Sequence, residues 1–154
     1  MKRLLKISKL SDYATILLSS LAALGNPQAS TALAAHARLP AATVVKLLKA
    51  LLKAGLVAST RGAQGGYRLT RAPELISVAD ILAALEGPLG LTACSTHGGN
   101  CVRAGFCGTR PHWHAINNAV QTALRSVTLK DLAHAPALPY LATAKFALLN
   151  PLIE

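Results

Sequence analysis

Between Pro40 and Arg71 the hydrophobic period of the chain changes abruptly, and that change leaves few folds open. Residues 41–54 carry Val44, Leu47, Leu48, Leu51 and Leu52 at helical spacing, and Gly55 ends the run. Pro40 suits the first position of that helix, where its missing N–H costs nothing. Immediately afterwards, Leu56-Val-Ala-Ser-Thr-Arg61 and Gly66-Tyr-Arg-Leu-Thr-Arg71 are two short β-rich runs around a glycine-rich tip, the pattern of a hairpin. Two apolar-rich segments precede this unit. Residues 11–24 predict a helix with Ser11 at its start and Gly25-Asn-Pro27 at its end, and about Thr31–Ala37 predicts a shorter one. Arg38-Leu-Pro40 makes the turn into the third helix. Three helices followed by a hairpin predict a mainly α fold with a small β-hairpin wing, a winged helix-turn-helix.

The charge lies where such a fold would use it. Residues 1–71 hold eleven lysines and arginines against one acid, Asp12, while residues 72–154 hold five of each sign, so the net +10 belongs wholly to the first half. That asymmetry suits a polyanion-binding module joined to a neutral one. Away from the apolar stripe of the third helix lie Thr43, Lys46, Lys49 and Lys53. On the hairpin, Ser59, Arg61, Gly62, Gly65 and Gly66 are the further candidate DNA contacts. The glycines would let backbone approach phosphate, and Arg61 is placed to enter a minor groove. The competing reading is a solvated lysine face on an inert basic surface.

Other classes fall away. No segment approaches the roughly 18 apolar residues of a membrane span, and the start lacks the apolar core and cleavage site of a signal peptide. With 4% aromatic residues the chain offers no stacking platform for single strands. No catalytic constellation is evident, and the glycine-rich tip lacks the Gly-Lys-Ser/Thr ending of a P-loop. The chain reads as a non-enzyme. Three cysteines without an export signal point to a reducing cytoplasm.

The third region carries the thiols. Val78, Ile81, Leu82 and Leu85 predict a short amphipathic helix ending near Glu86-Gly-Pro88. Residues 87–111 form a loop containing Cys94, Cys101 and Cys107, all the cysteines of the chain. Soft thiolates on a flexible loop suit zinc or an iron–sulfur cluster. A longer helix, about His112–Val127, repeats Trp113, Ile116, Val120, Leu124 and Val127 at coiled-coil steps, with Asn117, Asn118, Gln121 and Arg125 on other faces. The stripe either packs on its own domain or pairs with a second copy. The expected organisation is 1–74 for DNA binding, 75–134 for the cysteine loop and dimerisation helix, and 135–154 as a tail of unassigned role.

With these pieces in place the chain resembles the IscR/NsrR family of bacterial iron–sulfur winged-helix regulators, over about residues 5–134. The resemblance rests on Ile7-Ser-Lys-Leu-Ser-Asp12-Tyr-Ala and on Leu47-Leu-Lys-Ala-Leu-Leu-Lys-Ala-Gly-Leu-Val57. Thr60-Arg-Gly-Ala-Gln-Gly-Gly-Tyr-Arg-Leu69, the three cysteines and Val127-Thr-Leu-Lys-Asp-Leu132 complete it. The opening motif is most similar to the regulator of the SUF iron–sulfur assembly operon. The resemblance implies a homodimer on a palindromic double-stranded operator, and a 4Fe–4S or 2Fe–2S cluster on Cys94, Cys101 and Cys107. For the fourth ligand, one branch of the family uses a histidine three residues after the third cysteine, where this chain has Arg110, a group that cannot ligate iron. The other branch uses an aspartate from the first helix of the partner subunit, and Asp12 matches it. His97 is the alternative, and His112 and His114 are weaker rivals. An ordinary helix-dipole role remains open for Asp12. The implied function is a repressor that monitors iron–sulfur supply and controls SUF-type assembly genes. Nitric-oxide or oxidant sensing, or a structural zinc without sensing, are the alternatives.

Overall fold

The computed structural model describes residues 7–62, 65–96, 101–103 and 105–133. The fold is the mainly helical, winged helix-turn-helix architecture that the sequence predicts. Helix α1 spans Lys9–Leu24, α2 Ser30–Ala37 and α3 Ala41–Lys53. Strands β1 (Val57–Thr60) and β2 (Gly66–Leu69) make the wing, and a 3-10 turn at Pro73–Leu75 leads to α4 (Val78–Glu86). Beyond the cysteine loop come α5 (Arg110–Ser126) and α6 (Leu129–Ala133).

Helix ends follow local chemistry, with two corrections to the expected caps. Ser8, not Ser11, caps α1: its hydroxyl accepts from the Ser11 N–H at 3.2 Å, and Ser11 itself is 0% exposed. Pro40 stands one residue ahead of α3 as its N-cap, its carbonyl accepting from the Val44 N–H at 3.0 Å. At the other end of α1, Gly25 adopts the left-handed conformation, at φ 70°. The turn between α2 and α3 closes through Arg38 at φ 52°, ψ 43°, the one non-glycine residue with positive φ among those described. Helix α4 opens with a reciprocal cap between Ser77 and Asp80. Thr128 and Asp131 repeat that device at the start of α6.

One apolar core runs through both halves of the described chain. Leu17, Leu18 and Leu21 of α1 meet Leu33 of α2 and Val44, Leu47, Leu48 and Leu51 of α3, and Ile76, Ile81 and Leu129 close the same cluster. Helix α6 returns the chain to α1. It is held there by main-chain bonds from the Val78 N–H to the Val127 carbonyl (2.9 Å) and from the Leu129 N–H to the Ile76 carbonyl (2.7 Å).

The wing pairs antiparallel with Val57 opposite Leu69 and Thr60 opposite Gly66. It also gains a third edge that no sequence pattern announces. Gln28, in the connection between α1 and α2, exchanges both main-chain hydrogen bonds with Tyr67, at 3.0 and 2.8 Å. That approach requires glycine next door. A Cβ on Gly66, at φ 151°, would sit 2.7 Å from the Gln28 backbone, and one on Gly65 would sit 2.3 Å from the Thr60 carbonyl oxygen.

Gly66→Ala should therefore separate Gln28 from Tyr67 and destabilise the fold by roughly 1–3 kcal/mol. Urea unfolding checks this, and an unchanged midpoint and slope would refute the steric account.

Candidate nucleic-acid interface and cysteine loop

The amphipathic sequence of α3 decides which side chains meet solvent. Val44, Leu47, Leu48 and Leu51 are buried, so the opposite face displays Val45, Lys46, Lys49 and Lys53, with Thr43 half-buried at its margin. The wing continues this surface: Ser59, Thr60, Arg61 and Gly62 are all exposed. No ion pair engages Lys46, Lys49, Lys53 or Arg61 among the described residues, so their charges are available to an external polyanion. Gly62 is open, and a Cβ added there would meet nothing within 4 Å. Gly65 is required by the hairpin itself and Gly66 by the close approach of Gln28.

The cysteine loop leaves α4 through Gly87 and reaches α5 at Thr109–Arg110. Its first arm hangs on α5. Asn117, 2% exposed, accepts from the Leu91 N–H at 3.1 Å, and Gln121 donates to the Leu89 carbonyl at 3.2 Å. The heptad pattern puts both residues on faces of α5 away from its apolar stripe. Asn117 is in fact the buried residue of that helix, while Trp113 and Ile116 are 41% and 46% exposed. The apolar stripe of α5 is thus only partly covered by its own chain.

Cys94, Cys101 and Cys107 are free and half-buried. Cys94 lies 3.2 Å from the Thr92 hydroxyl, and Cys107 lies 3.2 Å from that of Thr109. The Thr109 hydroxyl and backbone hold the Cys107 thiol below its ordinary pKa, aided by the Arg110 N–H and the Arg103 charge, which favours the ligating and reactive thiolate. Among the described residues no three Cys, His, Asp or Glu side chains converge closely enough to hold a metal ion. The donor chemistry nevertheless fits: three soft sulfurs on one loop, one of them biased toward thiolate. His97 lies outside the described residues, as does the tail 135–154. Arg110 begins α5, its N–H donating to the Cys107 carbonyl at 3.2 Å.

Asp12 is exposed in the first turn of α1. Its neighbour Ser11 makes a contact that sequence reasoning missed. The Ser11 hydroxyl donates to Glu86 Oε1 at 2.5 Å, and the Ser8 N–H donates to the same oxygen at 3.2 Å. Glu86 is the last residue of α4, so its carboxylate ties the root of the cysteine loop to the helix that carries Asp12. No local signal joins positions 75 residues apart. The acid before Gly87-Pro88 is the sole hint.

The Ser11 hydrogen bond, followed by those from Ser8, holds the Glu86 carboxyl below its ordinary pKa against an opposing burial effect. A depressed folded value means the tie contributes above the unfolded carboxylate range and is lost as pH falls through the folded value. Glu86→Gln should therefore flatten part of the loss of thermal stability as pH falls through and below the ordinary carboxylate range. Parallel melting-temperature profiles for the two proteins would show that the tie carries no linkage.

Comparison with known proteins places this geometry. Residues 7–135 match the Rrf2 family, described as an iron-dependent transcriptional regulator. Protein rrf2 of Nitratidesulfovibrio vulgaris is 33% identical over 130 residues, covering 83% of this chain and 87% of its own. The transcriptional regulator IscR of Vibrio cholerae is 36% identical over 87 residues, which is 56% of this chain and 50% of that protein. Among solved structures, CymR, the global cysteine regulator of B. subtilis, superposes with a TM-score of 0.66 at 34% identity, covering 84% of this chain and 97% of CymR. IscR of T. potens gives 0.63 at 31% identity, covering 90% and 97%.

Proposed function

The chain belongs to the Rrf2 family of transcriptional regulators, and from that premise we propose that it is a repressor governed by an iron–sulfur cluster, controlling iron–sulfur assembly genes of the SUF type. It is a DNA-binding regulator and not an enzyme. In this reading residues 1–74 bind the operator, 75–134 carry the cluster loop and pairing helix, and the molecule acts as a homodimer on two half-sites. The exposed Trp113 and Ile116 support pairing through α5.

The observation that carries the reading is the mounting of the cysteine loop. All three thiols sit on a segment fixed at its root to α1 by Glu86 and to α5 by Asn117 and Gln121. Cys94, Cys101 and Cys107 would hold the cluster, with the partner subunit's Asp12 as fourth ligand and His97 as the alternative. A bound cluster would supply a covalent tie between loop and helix that oxidants or iron shortage can break. Glu86 and Ser11 keep the loop root against the start of α1, so a change in the loop reaches the helix on which α3 packs. That is a two-state element biased by a cofactor. A second reading, direct redox sensing, draws support from the thiolate bias of Cys107.

Iron and acid-labile sulfide per subunit, measured on protein isolated without oxygen, test the proposal. Near-equal iron and sulfide, lost in Cys101→Ala, is the expected result. Zinc without sulfide would end the sensing account. Asp12→Ala should change the visible spectrum and lifetime of the cluster while the dimer persists; an unaltered cluster would move the fourth ligand to His97. On the DNA side, Arg61→Ala should weaken operator binding by ~1–3 kcal/mol, read in a titration at fixed salt.

A further inference from the structure

The solvent face of α3 is defined as much by what it lacks as by what it holds. Its exposed residues are Ala41, Ala42, Val45, Lys46, Lys49 and Lys53. No arginine, asparagine, glutamine, aspartate or glutamate occurs anywhere in Ala41–Lys53, and apart from lysine at guanine these are the side chains that make paired hydrogen bonds to guanine or adenine edges or accept from cytosine. The fully exposed face must read with lysines and aliphatic groups, with Thr43 half-buried at its margin.

Val45 is 42% exposed, while its neighbours Val44, Leu47 and Leu48 are in the core. A single aliphatic side chain on a surface needs no explanation. This one stands one turn after Ala42 and one turn before Lys49, on a single stripe of the helix, with Lys46 beside it. Lysines that drew the helix onto phosphate would carry Val45 to the floor of the groove, where it would lose its water. Against a base-edge oxygen or amino group the isopropyl group would leave a polar atom unpaired, at a cost. The apolar partner that a base edge offers in the major groove is the C5-methyl group of thymine.

We propose that Val45, with Ala42 one turn before it, reads thymine methyl groups in the major groove of each half-site, while Lys46 and Lys49 take phosphates or guanine acceptors around them. The proposal rests on the DNA-binding reading and names the chemistry by which that reading becomes sequence-specific.

The test starts from random-sequence duplexes enriched by the full chain, in iron-loaded and iron-free forms. Each thymine of the enriched site is then replaced by deoxyuridine, which removes the methyl group alone. For the unmodified protein, at least one replacement per half-site should weaken binding about fourfold, the equivalent of ~0.8 kcal/mol per buried methyl-sized group. Val45→Ala should bind the thymine site more weakly and lose most of the methyl dependence, leaving the part that Ala42 carries. Val45→Thr, which keeps the shape and exchanges one methyl group for a hydroxyl, should lose part of it. Both changes are at the surface, and unchanged melting would exclude a folding defect. Affinity indifferent to every deoxyuridine, or full methyl dependence in Val45→Ala, would overturn the proposal and leave DNA binding intact. Enrichment of no site, with salt-dependent duplex affinity untouched by Lys46→Ala, would overturn both.

Discussion

The burial of one leucine-rich seam against α1 holds the molecule in its working shape. Leu17 and Leu18 of α1 are fully enclosed, and the core side of α3 (Val44, Leu47, Leu48, Leu51) packs in the same cluster as Ile76, Ile81 and Leu129. Helix α3 and the elements that frame the cysteine loop therefore share one close-packed interior. Such interiors have little slack, so a displacement at one wall is felt at another. A regulator built this way needs no separate linker to connect its two ends.

Polar contacts complete what the apolar seam begins. Glu86 is charged and Ser11 is fully buried, so their hydrogen bond fixes the exit of α4 to the entrance of α1 with a direction that apolar packing lacks. Asn117 does the corresponding work on α5, where a buried amide without the Leu91 N–H would be left with an unpaired oxygen. The loop is anchored at its start while its thiols stay only half-buried. That combination suits a segment whose ligands must be both placed and reachable.

Much of this is legible in the residues themselves. The periodicity of 41–54, the glycine-flanked hairpin and the basic first half point to the fold and to a candidate DNA-binding surface, because each is encoded within a short window. What escapes is non-local. The Gln28–Tyr67 pairing, the Ser11–Glu86 hydrogen bond and the burial of Asn117 join positions that no window contains. Ser11 has the look of a cap because it precedes an apolar run, yet Ser8 competes for the same amides and leaves Ser11 free to bond elsewhere. Helix α6 goes unpredicted although Thr128 and Asp131 spell a capping pair, since a helix as short as Leu129–Ala133 offers too few residues for periodicity to register.

The Gln28 edge has a consequence for how such a protein discriminates between DNA sites. Because the connection between α1 and α2 is stitched into the wing, the hairpin is not a flap that can swing independently of the helix-turn-helix. The angle between the exposed face of α3 and the wing is set by main-chain geometry, like the jaws of a fixed gauge. In a pair of such chains, a signal arriving through the loop would move whole gauges relative to each other. In the proposed homodimer the quantity tuned would be the distance and twist between half-sites, while the fit within each half-site would stay constant.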